Sequence, residues 1–211
     1  MRTLDFIPNT DLKLVQDSHH FKMTSDSIHL CEFINARKKD KVLDIGCNNG
    51  VITMFVKRKT NGLCIGLDIN LGAIELAIEN ADMNQLTHII FINSSVQDYI
   101  DANFDLICCN PPYHKDNTNK DTANFDGMLT LDDLAYHSFR LLKDKGRCAI
   151  VIKSERLSEC ITVFNNHKFG LKRMRFVHHS IKHPSSSVCL EFIKNGVQQT
   201  IVEAPVINHV G

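Results

Sequence analysis

Short apolar runs alternate with amphipathic stretches along most of the chain. Residues 41–46 (KVLDIG), 63–69 (LCIGLDI), 88–93 (HIIFIN), 104–109 (FDLICC) and 147–152 (RCAIVI) are six or seven residues long and bounded by Gly, Asn, Asp or Pro, which predicts strands. Apolar positions spaced three and four apart predict helices over 25–34, 51–59, 70–80, 131–142 and 155–165, the first capped by Ser25 or Asp26 and the fourth closed by a C-cap at Lys143-Asp144-Lys145-Gly146. Strands alternating with helices in this way predict an α/β fold with a doubly wound, mostly parallel sheet and ligands at the C-terminal strand ends. Residues 171–178 and 187–193 change character: both are β-rich, with His183-Pro184 but no helix between them, so a hairpin at the sheet edge is expected. Residues 1–24 are polar and irregular. They predict an arm, either solvated and mobile or facing a substrate, ahead of a single domain over 25–211.

Composition narrows the function classes. With 24 basic and 24 acidic residues the chain carries no bulk attraction for polyanions, so a nucleic-acid partner must be held by a local patch. Six basic residues (Lys168, Lys172, Arg173, Arg175, Lys182 and Lys194) face one acid, Glu191, between positions 165 and 196, which makes that stretch the candidate, with a solvated edge hairpin as the alternative. The eight cysteines form no CxxC pair, and most lie in apolar runs, which points to a reduced cytoplasmic protein without a zinc site. No apolar stretch reaches membrane-spanning length and no export signal opens the chain. A monomer is expected.

Two stretches carry chemistry. Residues 104–113 read FDLICCNPPY, an apolar strand that stops on Asn110-Pro111-Pro112-Tyr113. Two prolines remove backbone donors, so the strand end offers acceptors: the Asn110 side-chain oxygen and the Pro111 carbonyl can take both hydrogens of a planar amine, and the Tyr113 ring can stack on the system carrying it. Upstream, Gly46-Cys47-Asn48-Asn49-Gly50 is a turn between strand and helix whose amides can approach a polar ligand, and Asp68, 18 residues past Gly50, ends the next strand where a carboxylate can accept from both ribose hydroxyls. Asp68 could instead cap the helix over 70–80.

In order and spacing, VLDIGCNNG, GLDI and DLICCNPPY resemble the motifs of class I S-adenosylmethionine-dependent methyltransferases of the branch acting on exocyclic amines. The resemblance implies a Rossmann-like seven-stranded sheet with strand order 3-2-1-4-5-7-6 and an antiparallel C-terminal strand. It places Asp44 and Gly46 at the methionine end of the cofactor, Asp68 at its ribose, and Asn48, Gly50, Ile69, Ser95 and Asn110 in the same cofactor set. Asn110, Pro111, Pro112 and Tyr113 take the catalytic positions. Residues 21–31 (FKMTSDSIHLC), 129–134 (LTLDDL), 155–157 (ERL) and 191–208 (EFIKNGVQQTIVEAPVIN) are similar to the bacterial tRNA(Val) adenine-N6 methyltransferase family, which implies a tRNA anticodon stem-loop as partner and the adenine 3′ of the anticodon as target. Ser95 stands where that family has an aspartate at the cofactor's adenine amine, and Ala123-Asn124-Phe125-Asp126 replaces its Ala-Arg-His-Glu. The rival readings are protein glutamine N5-methylation, another RNA or DNA amino-methyltransferase, and a catalytically silent RNA-binding module. About 40 residues precede Val42, too few for the helical domain that glutamine methyltransferases carry there. The loop over 115–122 is either a lid on the flipped base or a plain connection.

Overall fold

The computed structural model describes residues 1–19, 22–111 and 129–209. The elements run β1 (Arg2–Phe6), β2 (Lys13–Asp17), α1 (Ser25–Phe33), β3 (Val42–Ile45), α2 (Val51–Lys57), β4 (Cys64–Asp68), α3 (Leu71–Met83), β5 (Ile89–Asn93), β6 (Phe104–Cys109), α4 (Leu131–Leu141), β7 (Leu142–Lys153), α5 (Leu157–Asn166), β8 (Phe169–Ser180), β9 (Ser185–Lys194), β10 (Ile201–Val202) and β11 (Val206–His209). The central sheet has the order β5-β4-β3-β6-β7-β9-β8. Its strands are parallel from β5 to β7, and β9 runs antiparallel to both neighbours. This is the expected Rossmann-like order.

Alternate residues on the strands feed two cores. Leu43 and Ile45 of β3 join Leu134 of α4 and Phe164 of α5 on one face, while Val42 joins Leu30 of α1 and Met54 of α2 on the other. Asp44 therefore points to the α1–α2 face, into apolar surroundings. None of the helices among the described residues is long and apolar enough to cross a membrane. All eight cysteines are free and buried, and burial raises the pKa of each thiol.

Four expectations change. The first residues are not irregular: β1 and β2 pair antiparallel, and Ile7, Leu12 and Leu14 are fully buried in the α1–α2 core, a period-two signal hidden among polar neighbours. Helix α1 is capped by Thr24, whose hydroxyl accepts from Ser27 N at 3.3 Å, which releases Asp26 for other contacts. Helix α4 has no glycine C-cap, because the chain passes straight into β7 at Leu142. Gly146 lies inside that strand, after Lys145 at φ 58°, where a Cβ would come 2.9 Å from the Lys143 carbonyl. The C-terminal hairpin is not the sheet edge either, since β10 and β11 pair in parallel with β8. Glu203 pins that tail, its carboxylate accepting from Arg173 at 2.5 Å and from Arg175 at 2.6 Å.

Beneath the sheet, buried Arg147 of β7 ion-pairs with buried Asp40 and donates to the Asn35 carbonyl at 2.5 Å. Removing Asp40 would leave buried Arg147 with only Glu191, 3.8 Å away, so Asp40→Ala should lower unfolding free energy by about 3 kcal/mol. Urea denaturation checks this; an unchanged midpoint would show that the pair adds nothing.

Candidate active site

The register of three strands builds the site. Ile45 is paired with Leu67 on one side and with Cys109 on the other, so the next residues, Gly46, Asp68 and Asn110, stand in one row at the sheet's C-terminal end. Strands are spaced about 4.8 Å apart, which puts Asp68 and Asn110 roughly 10 Å from each other with the Gly46 turn between them. Gly46 N and Cys47 N both donate to the Leu67 carbonyl at 2.8 Å, fastening the turn to β4. Gly46 (φ 74°), Asn48 (φ 47°) and Gly50 (φ 86°) all take left-handed backbone, and at Gly46 a Cβ would meet nothing within 4 Å, so the turn opens on space. At Gly66 the reverse holds: a Cβ would come 2.8 Å from Cys47 Sγ, so the turn folds directly over β4.

Asp44 lies two rows below, paired with Gly66 and Cys108, and is 0% exposed. Its Oδ2 accepts from the Thr53 hydroxyl at 2.6 Å, while its Oδ1 has no hydrogen-bond partner among the described residues. Burial pushes its pKa up to about 7, against the opposing pull of Thr53 and the Cys108 thiol. Five residues on, Asn49 is 2% exposed and its Nδ2 also has no partner among the described residues. A buried acceptor and a buried donor thus stand unsatisfied in the same strand–turn, and an amino-acid end, with its ammonium and carboxylate, fits that pair.

Asp68 is no helix cap. Asn70 caps α3, accepting from Ala73 N at 3.1 Å, whereas the Asp68 carboxylate accepts from Asn48 N and Asn70 N, each at 2.9 Å. Ile69 beside it is 63% exposed at the strand end, an apolar side chain suited to a flat ring. Ser95 follows β5, whose neighbour Ser94 N donates to the Asp68 carbonyl at 3.1 Å, so the segment reaches the site. The Ser95 hydroxyl donates to Asp98 Oδ2 at 2.7 Å and accepts from Asp98 N at 3.1 Å. That reciprocal turn brings a carboxylate beside the position where the resemblance implies one.

Asn110 is half-buried and Pro111 buried; Pro112, Tyr113, the 115–122 loop and Ala123-Asn124-Phe125-Asp126 lie outside the described residues. Asn110 Nδ2 donates to Ser27 Oγ at 3.0 Å, an orientation that gives the amide oxygen the accepting role. Ser27 was not legible as a site residue. Its neighbour Asp26 accepts from Lys153 at 2.9 Å and from Ser187 at 2.8 Å, tying the ends of β7 and β9 to the same helix start. The only early signal was a polar Ser-Asp-Ser where α1 begins. Of the basic stretch between 165 and 196, Lys168 and Lys182 are exposed, but three of the six basic residues are held by the fold. Arg173 is held by Glu191 and Glu203, Arg175 by Glu203, and Lys194 donates to the Phe139 and Leu142 carbonyls. Glu203, which bridges the two arginines, comes from the tail beyond residue 196.

The sheet order and the site at its C-terminal end define a class I methyltransferase fold, shared with solved structures. A predicted O-methyltransferase from Agrobacterium tumefaciens superposes with a TM-score of 0.70 at 16% identity, covering 87% of this chain and 88% of that one. A T. thermophilus 16S rRNA methyltransferase, solved with AdoMet and guanosine, gives 0.69 at 17% identity over 92% of this chain and 50% of that one. The sequence profile of the methyltransferase small domain family matches residues 20–177, and the chain belongs to that family of S-adenosylmethionine-dependent methyltransferases. Relatives include a Methanocaldococcus jannaschii protein named for N5-glutamine methylation, 31% identical over 76% of this chain and 85% of its own length. A tRNA1(Val) (adenine(37)-N6)-methyltransferase from Trichodesmium erythraeum is 25% identical over 85% of this chain and 80% of its own.

Asp44 yields a pH-dependent prediction. Its folded pKa lies above the ordinary carboxylate value of about 3.9, so the folded state is penalised as pH rises through the interval up to about 7, fully above it and not at all below the ordinary value. Asp44→Asn should therefore stabilise the fold at pH 8, by at most about 4 kcal/mol, leave it unchanged near pH 3.5, and abolish cofactor binding. Melting curves at the two pH values and calorimetry check this; equal gains at both would show that the carboxylate's charge is not the destabilising group.

Proposed function

We propose that the chain methylates the N6 amine of an adenine in tRNA, at the position 3′ of the anticodon of tRNA(Val). One observation supports the chemistry above the rest: the β3–β6 register sets Asn110 beside the Gly46 turn, with Ser27 holding the amide so that its oxygen accepts. In this reading Asp68 takes the ribose hydroxyls, Asp44 and Asn49 the amino-acid end, and Ile69 with the Ser95–Asp98 turn the adenine of the cofactor. S-adenosylmethionine supplies, when bound, a methyl group already activated by its sulfonium charge. The N6 lone pair is delocalised into its ring, so the chain's task is to hold the amine in line and to stabilise positive charge on its nitrogen. Asn110 Oδ1 and the Pro111 carbonyl accept the two amine hydrogens, and these bonds strengthen as that charge grows. The amine nitrogen would give up a proton to water as it takes the methyl that the cofactor supplies. Tyr113 is the stacking platform for a base that leaves its stack at least expense in a loop.

The tRNA assignment is supported by the alignment with the Trichodesmium enzyme, which runs through 197 residues. A second reading, protein glutamine methylation, is favoured by the Methanocaldococcus relative, since a glutamine amide presents the same planar NH₂. Transfer of labelled methyl from S-adenosylmethionine into total tRNA and into total protein, followed by nucleoside analysis, separates them: N6-methyladenosine is expected, and label confined to protein would overturn the tRNA reading. Asn110→Ala should lower single-turnover rate by about 10²-fold with cofactor affinity unchanged. Ser27→Ala should lower it by about tenfold, because the amide is then free to turn its nitrogen toward the substrate. Wild-type turnover in Ser27→Ala would show that the 3.0 Å bond does not set the amide's direction.

A further inference from the structure

We infer that Asn80 of α3 is a positioning residue for the cofactor turn and that the β1–β2 hairpin is, through it, a part of the cofactor site. This rests on the reading that the turn from Gly46 to Gly50 holds the cofactor. Asn80 is 0% exposed. Its Oδ1 accepts from Val15 N at 2.7 Å, and its Nδ2 donates to the Val15 carbonyl at 3.1 Å and to the Asn49 carbonyl at 3.0 Å. One side chain thus spans from the middle of β2 to the middle of the turn, using every hydrogen it has.

The helical repeat explains the device. Asn84, one turn further along α3, accepts from Lys13 N at 2.8 Å and donates to the Lys13 carbonyl at 2.7 Å. Two asparagines four residues apart therefore read alternate residues of β2 as a neighbouring strand would, main-chain donor and acceptor at each rung. The rungs differ in one respect. The second hydrogen of Asn84 goes to the Asn80 carbonyl of its own helix at 2.7 Å, whereas that of Asn80 goes to the turn.

The turn requires such a holder. Asn49 sits between Asn48 and Gly50, both in left-handed backbone, a conformation that asparagine and glycine adopt more readily than other residues and that a hydrogen bond on each side keeps in place. Asp68 secures one side by accepting from Asn48 N, and Asn80 secures the other by donating to the Asn49 carbonyl. Between these clamps lies Asn49 Nδ2, buried and without a partner among the described residues. Asn80 fixes where that donor stands. Coupling of this kind is reciprocal, so a cofactor seated in the turn also tightens the hairpin.

Calorimetry with S-adenosylhomocysteine on the full chain tests the inference, comparing Asn80→Ala, Asn80→Asp, Asn84→Ala and Asp68→Ala with wild type. Asn80→Ala should weaken binding about tenfold, and the KM for S-adenosylmethionine should rise by the same factor with kcat unchanged. Asn84→Ala removes as many bonds to the hairpin and none to the turn, so its affinity should stay within about twofold. Asn80→Asp keeps the size and the acceptor for Val15 N and should lose affinity as Asn80→Ala does. Hydrogen exchange at the Val15 amide should slow on ligand addition in wild type and in Asn84→Ala, and not in Asn80→Ala. Equal weakening by Asn84→Ala and Asn80→Ala, or wild-type affinity in both Asn80 variants while Asp68→Ala is weakened, overturns the inference and leaves the cofactor site standing. Wild-type affinity in Asp68→Ala removes the cofactor site itself.

Discussion

The parallel pairing of β3 with β6, Ile45 against Cys109, is the constraint from which the site follows. Side chains on a strand alternate, so a slip of one residue in this pairing would exchange the faces of every side chain on one strand relative to the other. Asn110 would then lose Ser27, and its carboxamide would face the α4–α5 core. Both strands are buried on both faces, and their apolar side chains lock the register from two cores at once. Because β4 pairs with β3 in step, the same lock fixes Asp68 level with Gly46. Three polar groups on three strands thus acquire their relative height from apolar packing below them.

That packing also carries a penalty. Asp44 sits within the same lattice, one oxygen bonded to Thr53 and the other unpartnered among the described residues, in surroundings that favour its neutral form. A folded chain optimised for stability alone would place an apolar side chain here, as at Val42 two residues earlier. A buried carboxylate of this kind is offset by an arriving cationic group, which is the part the proposed reading gives to the ammonium of the cofactor's amino-acid end.

The sequence made legible whatever depends on local pattern. Strand runs ending on Gly46, Asp68 and Asn110, and the glycine turn between β3 and α2, announce themselves through composition and punctuation within a few residues. What escaped depends on partners distant in sequence. Ser27 meets Asn110 across 83 positions, and Asn80 meets Val15 across 65; no periodicity encodes either. The tail shows the same limit from the charge side: Arg173 and Arg175 look like an open basic face until Glu203, some 30 residues on, folds back between them. The hairpin was missed because its alternation is short and its outward positions are strongly polar.

The first helix is where the two halves of the sheet meet. On the cofactor side, α1 packs on α2, which follows the Gly46–Gly50 turn; on the other side, Asp26 collects Lys153 from β7 and Ser187 from β9, and Ser27 takes Asn110 from β6. The Thr24 hydroxyl caps the helix through Ser27 N and also lies 3.2 Å from the Ser27 hydroxyl, so the cap and the Asn110 amide share one serine. The N-terminal turn of one nine-residue helix thus ties Asn110, at the end of β6, to β7 and β9.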